Sequence, residues 1–139
     1  MNADEALERR REAARWLVIA REDARVARAC LGMELPAVGV AAYHCHQAAE
    51  KVLKGLLIIA GVEFRMTHDL DRLASVMLPH YPESQDLVEV LRPISSWGIA
   101  YRYPGPDAAP EPLPASSEVE RVLAILEVLA SRLRVLTVG

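Results

Sequence analysis

Lysine is scarce in this chain: of its 16 basic residues only Lys51 and Lys54 are lysines, and the rest are arginines. Against 19 acidic residues they leave a net charge of −3, which gives no sign of a strongly cationic surface for nucleic-acid binding. Cysteine is limited to Cys30 and Cys45, both inside helical patterns, so buried thiols are expected rather than a disulfide. Long apolar runs are missing too. The longest stretch free of Asp, Glu, Lys and Arg runs from Leu35 to Ala49, is interrupted by Pro36, His44, His46 and Gln47, and is shorter than the ~18 apolar residues of a membrane span. The first residues, acidic and basic by turns, lack the apolar segment of a secretory signal, and a cytoplasmic location is expected. With 52% hydrophobic and 25% charged residues, the composition excludes a disordered or collagen-like chain and predicts one domain over residues 1–139.

Several chemistries lack their residues. There is no phosphate-binding glycine loop ending in Lys-Ser or Lys-Thr, no His-Glu-x-x-His and no pair of Cys-x-x-Cys knuckles. His44 and His46, two apart, point away from each other on a helix and cannot share a metal. No histidine follows a Glu or Asp by three residues, as a di-iron bundle would require. No metal and no cofactor is expected.

What the chain does have is helical periodicity. Ala3 to Leu31 contains no Gly or Pro, and Leu17, Ala20, Ala24, Ala27 and Leu31 recur at helical spacing. Gly32 is a candidate C-cap, Pro36 fits the first turn of a second helix, and that pattern runs to Ala60 before Gly61. Thr67 is a candidate cap for a short third helix ending near Pro79, with Asp69 and Asp71 favourable in its first turn. A fourth pattern from Glu83 to about Tyr101 contains Pro93, which should kink or split it. Prolines and Gly105 between Pro104 and Pro114 predict an extended surface loop. Ser117 and Glu120 then form a candidate capping box for a last helix, with an apolar stripe of Val119, Leu123, Leu126, Ala130, Leu133 and Leu136. No segment alternates like a strand. The expected fold is all-α: an up-and-down antiparallel four-helix bundle with one additional short helix.

On the second helix, Ala42, Ala49, Leu53, Leu56, Leu57 and Ala60 share the core arc, while Tyr43, Gln47, Glu50 and Lys54 form a separate stripe, with His46 between. That stripe has two readings. Glu50 and Lys54 are either a solvated i,i+4 ion pair of ~0.3–0.5 kcal/mol, or part of a polar groove in which Gln47 and Lys54 meet a phosphate or base and Glu50 orients the lysine. His68 and Asp69 can orient each other at the third helix's mouth or be structural. Arg102 and Tyr103 can anchor an anion or cover the bundle end.

The run Ala42-Tyr43-His44-Cys45-His46-Gln47-Ala48-Ala49-Glu50-Lys51-Val52-Leu53-Lys54-Gly55-Leu56-Leu57, then Thr67-His68-Asp69-Leu70, then Tyr101-Arg102-Tyr103-Pro104, resembles the HEPN domain, the higher eukaryote and prokaryote nucleotide-binding family. The resemblance spans most of the chain and implies a helical bundle that pairs as a homodimer. It also implies a nucleotide or RNA ligand and a separately encoded minimal nucleotidyltransferase as partner, in systems often behaving as toxin and antitoxin. Carried over by position, the family's polar signature falls on Gln47, Glu50, Lys51, Lys54, His68, Asp69, Arg102, Tyr103 and Pro104. Some branches are metal-independent ribonucleases with Arg and, after four to six residues, His. Here Asp107 stands at the matching offset from Arg102, Arg65 is too near His68, and Arg72 is too far from His80. The expected protein is therefore a non-catalytic binding component. The alternatives are a ribonuclease in which His68 or His46 replaces the missing histidine, and a purely structural adaptor dimer. The first, second and last helices are each apolar enough to form a dimer face.

Overall fold

The structure, a computed structural model, describes residues 1–65, 67–101 and 112–139. Most of the loop expected between Pro104 and Pro114 lies outside the described residues. Three long helices carry the fold: α1 (Ala3–Leu31), α2 (Val38–Ala60) and, as the last element, α5 (Ser116–Thr137). Between them lie α3 (Leu70–Met77) and α4 (Gln85–Glu89), joined and followed by 3-10 turns at Leu78–His80, Pro82–Ser84 and Arg92–Gly98. Among the described residues no strand occurs and no helix is long and apolar enough to cross a membrane. The fold is an all-α helical bundle, with the fourth position filled by short pieces rather than one rod.

Each break has a local cause. Pro79, Pro82 and Pro93 each sit in the first turn of a 3-10 segment, where the missing N–H is no loss but a continuing α-helix through that point would be. Pro93 thus splits the fourth pattern into α4 and the Arg92–Gly98 segment. Tyr81 then ties the broken stretch to α2 by donating its hydroxyl to the Leu56 carbonyl at 2.7 Å. Burial pushes that phenol up to about 12, so the bond survives any ordinary pH. Arg92 clasps α3 from the other side, donating to the Asp71 carboxylate at 2.7 Å and the Ser75 hydroxyl at 2.8 Å.

The caps differ in detail from those the sequence suggests. Asp69, not Thr67, caps α3: its carboxylate accepts from the Asp71 and Arg72 amides, while the Thr67 hydroxyl accepts one step earlier, from the Asp69 amide. The capping box at Ser117 and Glu120 does not form. Helix α5 starts two residues earlier than a cap at Ser117 would place it, and its N-cap Ala115 has no capping group to offer. A capping box occurs instead at Asn2 and Glu5 of α1. Helix α2 begins after Pro36, at Val38, and ends at Gly61, whose φ of 72° is the left-handed conformation a C-cap glycine supplies without strain.

The core lies where α1, α2 and α5 meet. From α1 it takes Ala13, Leu17, Ala20, Ala24 and Ala27; from α5 it takes Val119, Leu123, Leu126, Ala130 and Leu133, with Leu136 at its edge. Alanine dominates the α1 stripe, so α1 and α2 approach closely, and their pairing is the most extensive in the fold. Helix α2 is buried nearly all round, unlike a two-faced surface helix. Both cysteines are free thiols; Cys45 is fully buried, and loss of hydration pushes its thiol up to about 12.

Gly55 marks the tightest crossing. A Cβ built there would stand 2.6 Å from Leu133 Cδ2 of α5 and 3.7 Å from the Ala13 carbonyl of α1. Gly55→Val should therefore destabilise the fold by about 1–3 kcal/mol through overpacking, despite removing a helix-interior glycine. Urea denaturation read by helical circular dichroism checks it; an unchanged midpoint would mean that α5 yields freely at this crossing.

Candidate functional site

The stripe on α2 is not solvated. The face that carries Tyr43, His46, Gln47, Glu50 and Lys54 is covered by the irregular segment between Gly61 and Tyr101, which the periodicity of α2 alone does not reveal. Glu50 is 3% exposed and Lys54 1%, with Nζ 3.4 Å from Glu50 Oε2. The lysine is held on its other side by the Trp16 ring of α1, 5.6 Å from the ring centroid. It therefore sits beneath Glu50, inside the bundle. Lys51, the next residue around the helix from Glu50, reaches the other way: its Nζ donates to Asp23 Oδ2 of α1 at 2.7 Å and to Gln47 Oε1 at 3.2 Å. His44 joins this second cluster at 2.9 Å from Asp23 Oδ1.

The second oxygen of Glu50 faces outward. His68, on the segment leading into α3, meets Oε1 through Nδ1 at 2.5 Å, although four-fifths of its side chain is in solvent. Holding the proton on Nδ1 leaves Nε2 directed away from the carboxylate. His68 and Asp69 do not pair with each other. The Asp69 carboxylate caps α3 and accepts from Ser95 Oγ at 3.3 Å, while the same hydroxyl accepts from the Leu70 amide at 3.2 Å.

Beside this pair lies a cavity of about 560 Å³. Its α2 wall is Tyr43, His46 and Gln47; His68 and Asp69 form the α3 side; Ser95 and Gly98 of the last 3-10 segment, with Ile99 just after it, close it. The size suits a small organic ligand. Of the residues singled out in the sequence, Gln47, His68 and Asp69 line the cavity and Glu50 supports its rim through His68. Lys51 and Lys54 are absent from the lining, each held by a carboxylate. Arg102 and Tyr103, and Pro104 with them, lie outside the described residues. A groove of similar volume between α1 and α5, lined by Arg28, Leu31, Glu120 and Glu127 among others, shares none of these residues.

The residue that periodicity undervalues is His46. Its side chain is 1% exposed, and neither ring nitrogen has a hydrogen-bond partner. Gly98 packs directly on the ring; a Cβ there would fall 2.7–2.9 Å from three ring atoms. Burial is the main reason its pKa falls below 6.5; the nearby His68 and Lys51 charges act the same way, while the Glu50 carboxylate and the His68 main chain oppose them. The imidazole is neutral. Its place on α2 between the core arc and the polar stripe of Tyr43, Gln47, Glu50 and Lys54 is the signal the sequence offers for it.

No group of three or more His, Cys, Asp or Glu among the described residues is placed to hold a metal ion. The site offers a neutral buried imidazole, an exposed imidazole on a carboxylate, an amide, a hydroxyl and an aromatic ring. Such a set recognises a planar polar ligand or moves a proton.

A helical bundle with its polar residues gathered between the second helix and the segment before the third defines a recognisable class. The profile of the HEPN domain matches residues 13–135, and the chain belongs to that family. The crystal structure of TT1696 from Thermus thermophilus is similar, with a TM-score of 0.66 and 30% identity over 89% of this chain and 97% of that one. No curated protein matches the sequence.

Two outcomes follow from the buried groups. Lys54→Met leaves the Glu50 charge buried without its cation, and should cost about 3–5 kcal/mol in urea unfolding. Adding Glu50→Gln should recover part of that loss; strict additivity would mean the two side chains do not interact. The His46 pKa is depressed in the folded state, so below about 6.5 the unfolded chain binds a proton that the native chain does not, and stability falls as pH falls. Titrating stability from about pH 7.5 to about pH 5 should show a smaller acid loss in His46→Leu than in the parent; identical slopes would assign the loss to other groups.

Proposed function

We propose that this HEPN protein is a non-catalytic, cytoplasmic homodimer that binds a nucleotide or a nucleic-acid end and acts with a separately encoded minimal nucleotidyltransferase, in a toxin–antitoxin-like pair. The observation that carries the reading is the cavity at the α2–α3 junction, whose walls combine Tyr43, an aromatic surface, with Gln47 and Ser95, polar groups suited to the edge of a base. In this reading Gln47, His68 and Asp69 touch the ligand, and Glu50 fixes His68. Lys51 orients Gln47, Lys54 holds Glu50, and Arg102 and Tyr103 add the phosphate contact. A net charge of −3, with both lysines engaged by carboxylates, favours a small ligand or a strand end over a long duplex.

A second reading, metal-independent RNA cleavage, is favoured by one feature: His68 Nδ1 rests on a buried carboxylate while the ring faces solvent, an arrangement that suits proton transfer from a ribose hydroxyl.

Nucleotide binding by calorimetry should weaken roughly tenfold in Gln47→Ala and in Arg102→Ala, a loss of about 1.4 kcal/mol, with helical content intact. Undiminished affinity in both would remove the site. Tagged protein drawn from its native cells should bring down a nucleotidyltransferase in equal amount, and recovery of a lone homodimer would sink the two-component reading. Purified protein should leave RNA uncut with and without chelator. Chelator-resistant cutting that disappears in His68→Ala would establish the ribonuclease instead.

A further inference from the structure

His46 is a buried polar group that the packing of the bundle does not require. An apolar side chain there would leave no polar atom unpaired, whereas both ring nitrogens of His46 are buried without a partner. The cavity supplies a reason. His46 forms part of its wall, and Gly98, the cover over the ring, lines the same space. The cover is a chain turn rather than a long helix: the Ile99 and Ala100 amides both donate to the Ser96 carbonyl, at 3.1 and 2.9 Å, so Gly98 can shift without unwinding a long element.

We propose that the cavity takes the heterocyclic base of a nucleoside, that His46 accepts a hydrogen bond from an amino group on that base once Gly98 is displaced, and that any phosphate stays outside. The inference rests on the nucleotide-binding reading above and assigns its ligand end. Three observations carry it. The first is the orphaned imidazole: neither ring nitrogen has a partner, and a neutral ring always presents one bare acceptor that needs a donor. The second is the charge of the walls: among the described residues no arginine or lysine lines the cavity, whereas Asp69 does, so a phosphate inside would meet a carboxylate. The third is the mixture of Tyr43 and Ile99 with Gln47 and Ser95, apolar surface for the faces of a ring and polar groups for its edge.

Calorimetry on the full chain tests this with adenosine, guanosine and cytidine, their monophosphates, and purine riboside, which has no amino group. At least one amino-bearing nucleoside should bind within about threefold of its own monophosphate, and purine riboside roughly tenfold or more weakly, because it leaves the His46 acceptor unpaired. His46→Leu should erase that preference while melting at the same temperature as the parent or higher, since it removes an unpaired buried group. Equal binding of purine riboside and the amino-bearing nucleosides overturns the role of His46 without any variant having to fold. Monophosphates that bind while every nucleoside fails would show that phosphate is the part recognised; the base assignment would then fall and the nucleotide-binding reading would stand. Failure of all the probes would end both.

Discussion

The arrangement around α2 depends on one carboxylate taken out of water. Glu50 is almost wholly buried, and a lone charge there would be untenable; it persists because Lys54 neutralises it from below and His68 meets its other oxygen from above. Each partner ties the carboxylate to a different part of the chain. Lys54 rests on the Trp16 ring and so reaches α1, whereas His68 belongs to the segment that precedes α3. Three stretches far apart in sequence are brought into register by a single side chain. An apolar residue at the same place could fill the space equally well, but could not select which residue of the entering segment stops above it.

The consequence is a division of labour between the chain's two lysines. Close together on α2 but about 60° apart around its axis, Lys51 and Lys54 serve separate clusters, one on Asp23 and His44, the other on Glu50 and Trp16. Both clusters lock α2 to α1. Neither lysine is free to sit in the cavity, so the positive charge required for any anion must come from His68 or from an arginine. This distinguishes the site from the groove anticipated on the helix surface, in which Lys54 itself would meet a phosphate.

Much of this was legible in the sequence because it follows from period and punctuation. Helices α1, α2 and α5 announce themselves through the Leu17-to-Ala27 and Val119-to-Leu133 stripes, and the break at Pro93 through a missing N–H. The burial of Glu50 and Lys54 was not legible. Periodicity assigns a helix its apolar face, and a polar stripe beside that face reads as solvated unless something covers it. Here the cover is a run of short helices and 3-10 turns between Gly61 and Tyr101 that has no period of its own. Capping was also underdetermined. Thr67 and Asp69 are both good caps two residues apart, and at the observed cap Ser95, distant in sequence, bonds the Asp69 carboxylate and the Leu70 amide. At α5, the Ser117 and Glu120 spacing fits a capping box, but the helix starts at Ser116, so Ser117 falls inside the first turn where its hydroxyl has no cap to make.

His46 shows why a residue's chemistry must be read with its cover. On the helix it lies two positions from His44, and the two rings consequently part: His44 turns to Asp23, and His46 turns inward beneath Gly98. A side chain at position 98 would collide with the imidazole, so the pairing of a glycine with a histidine across the cavity is a geometric requirement and not a matter of composition. The same contact excludes water from the ring, which is what keeps the imidazole neutral and its nitrogens unpaired. A buried donor or acceptor without a partner raises the free energy of the folded protein, and under the base-binding proposal a matching amino group would relieve that penalty. Discrimination of this kind is steep, because a ligand lacking the group must leave the histidine as it found it.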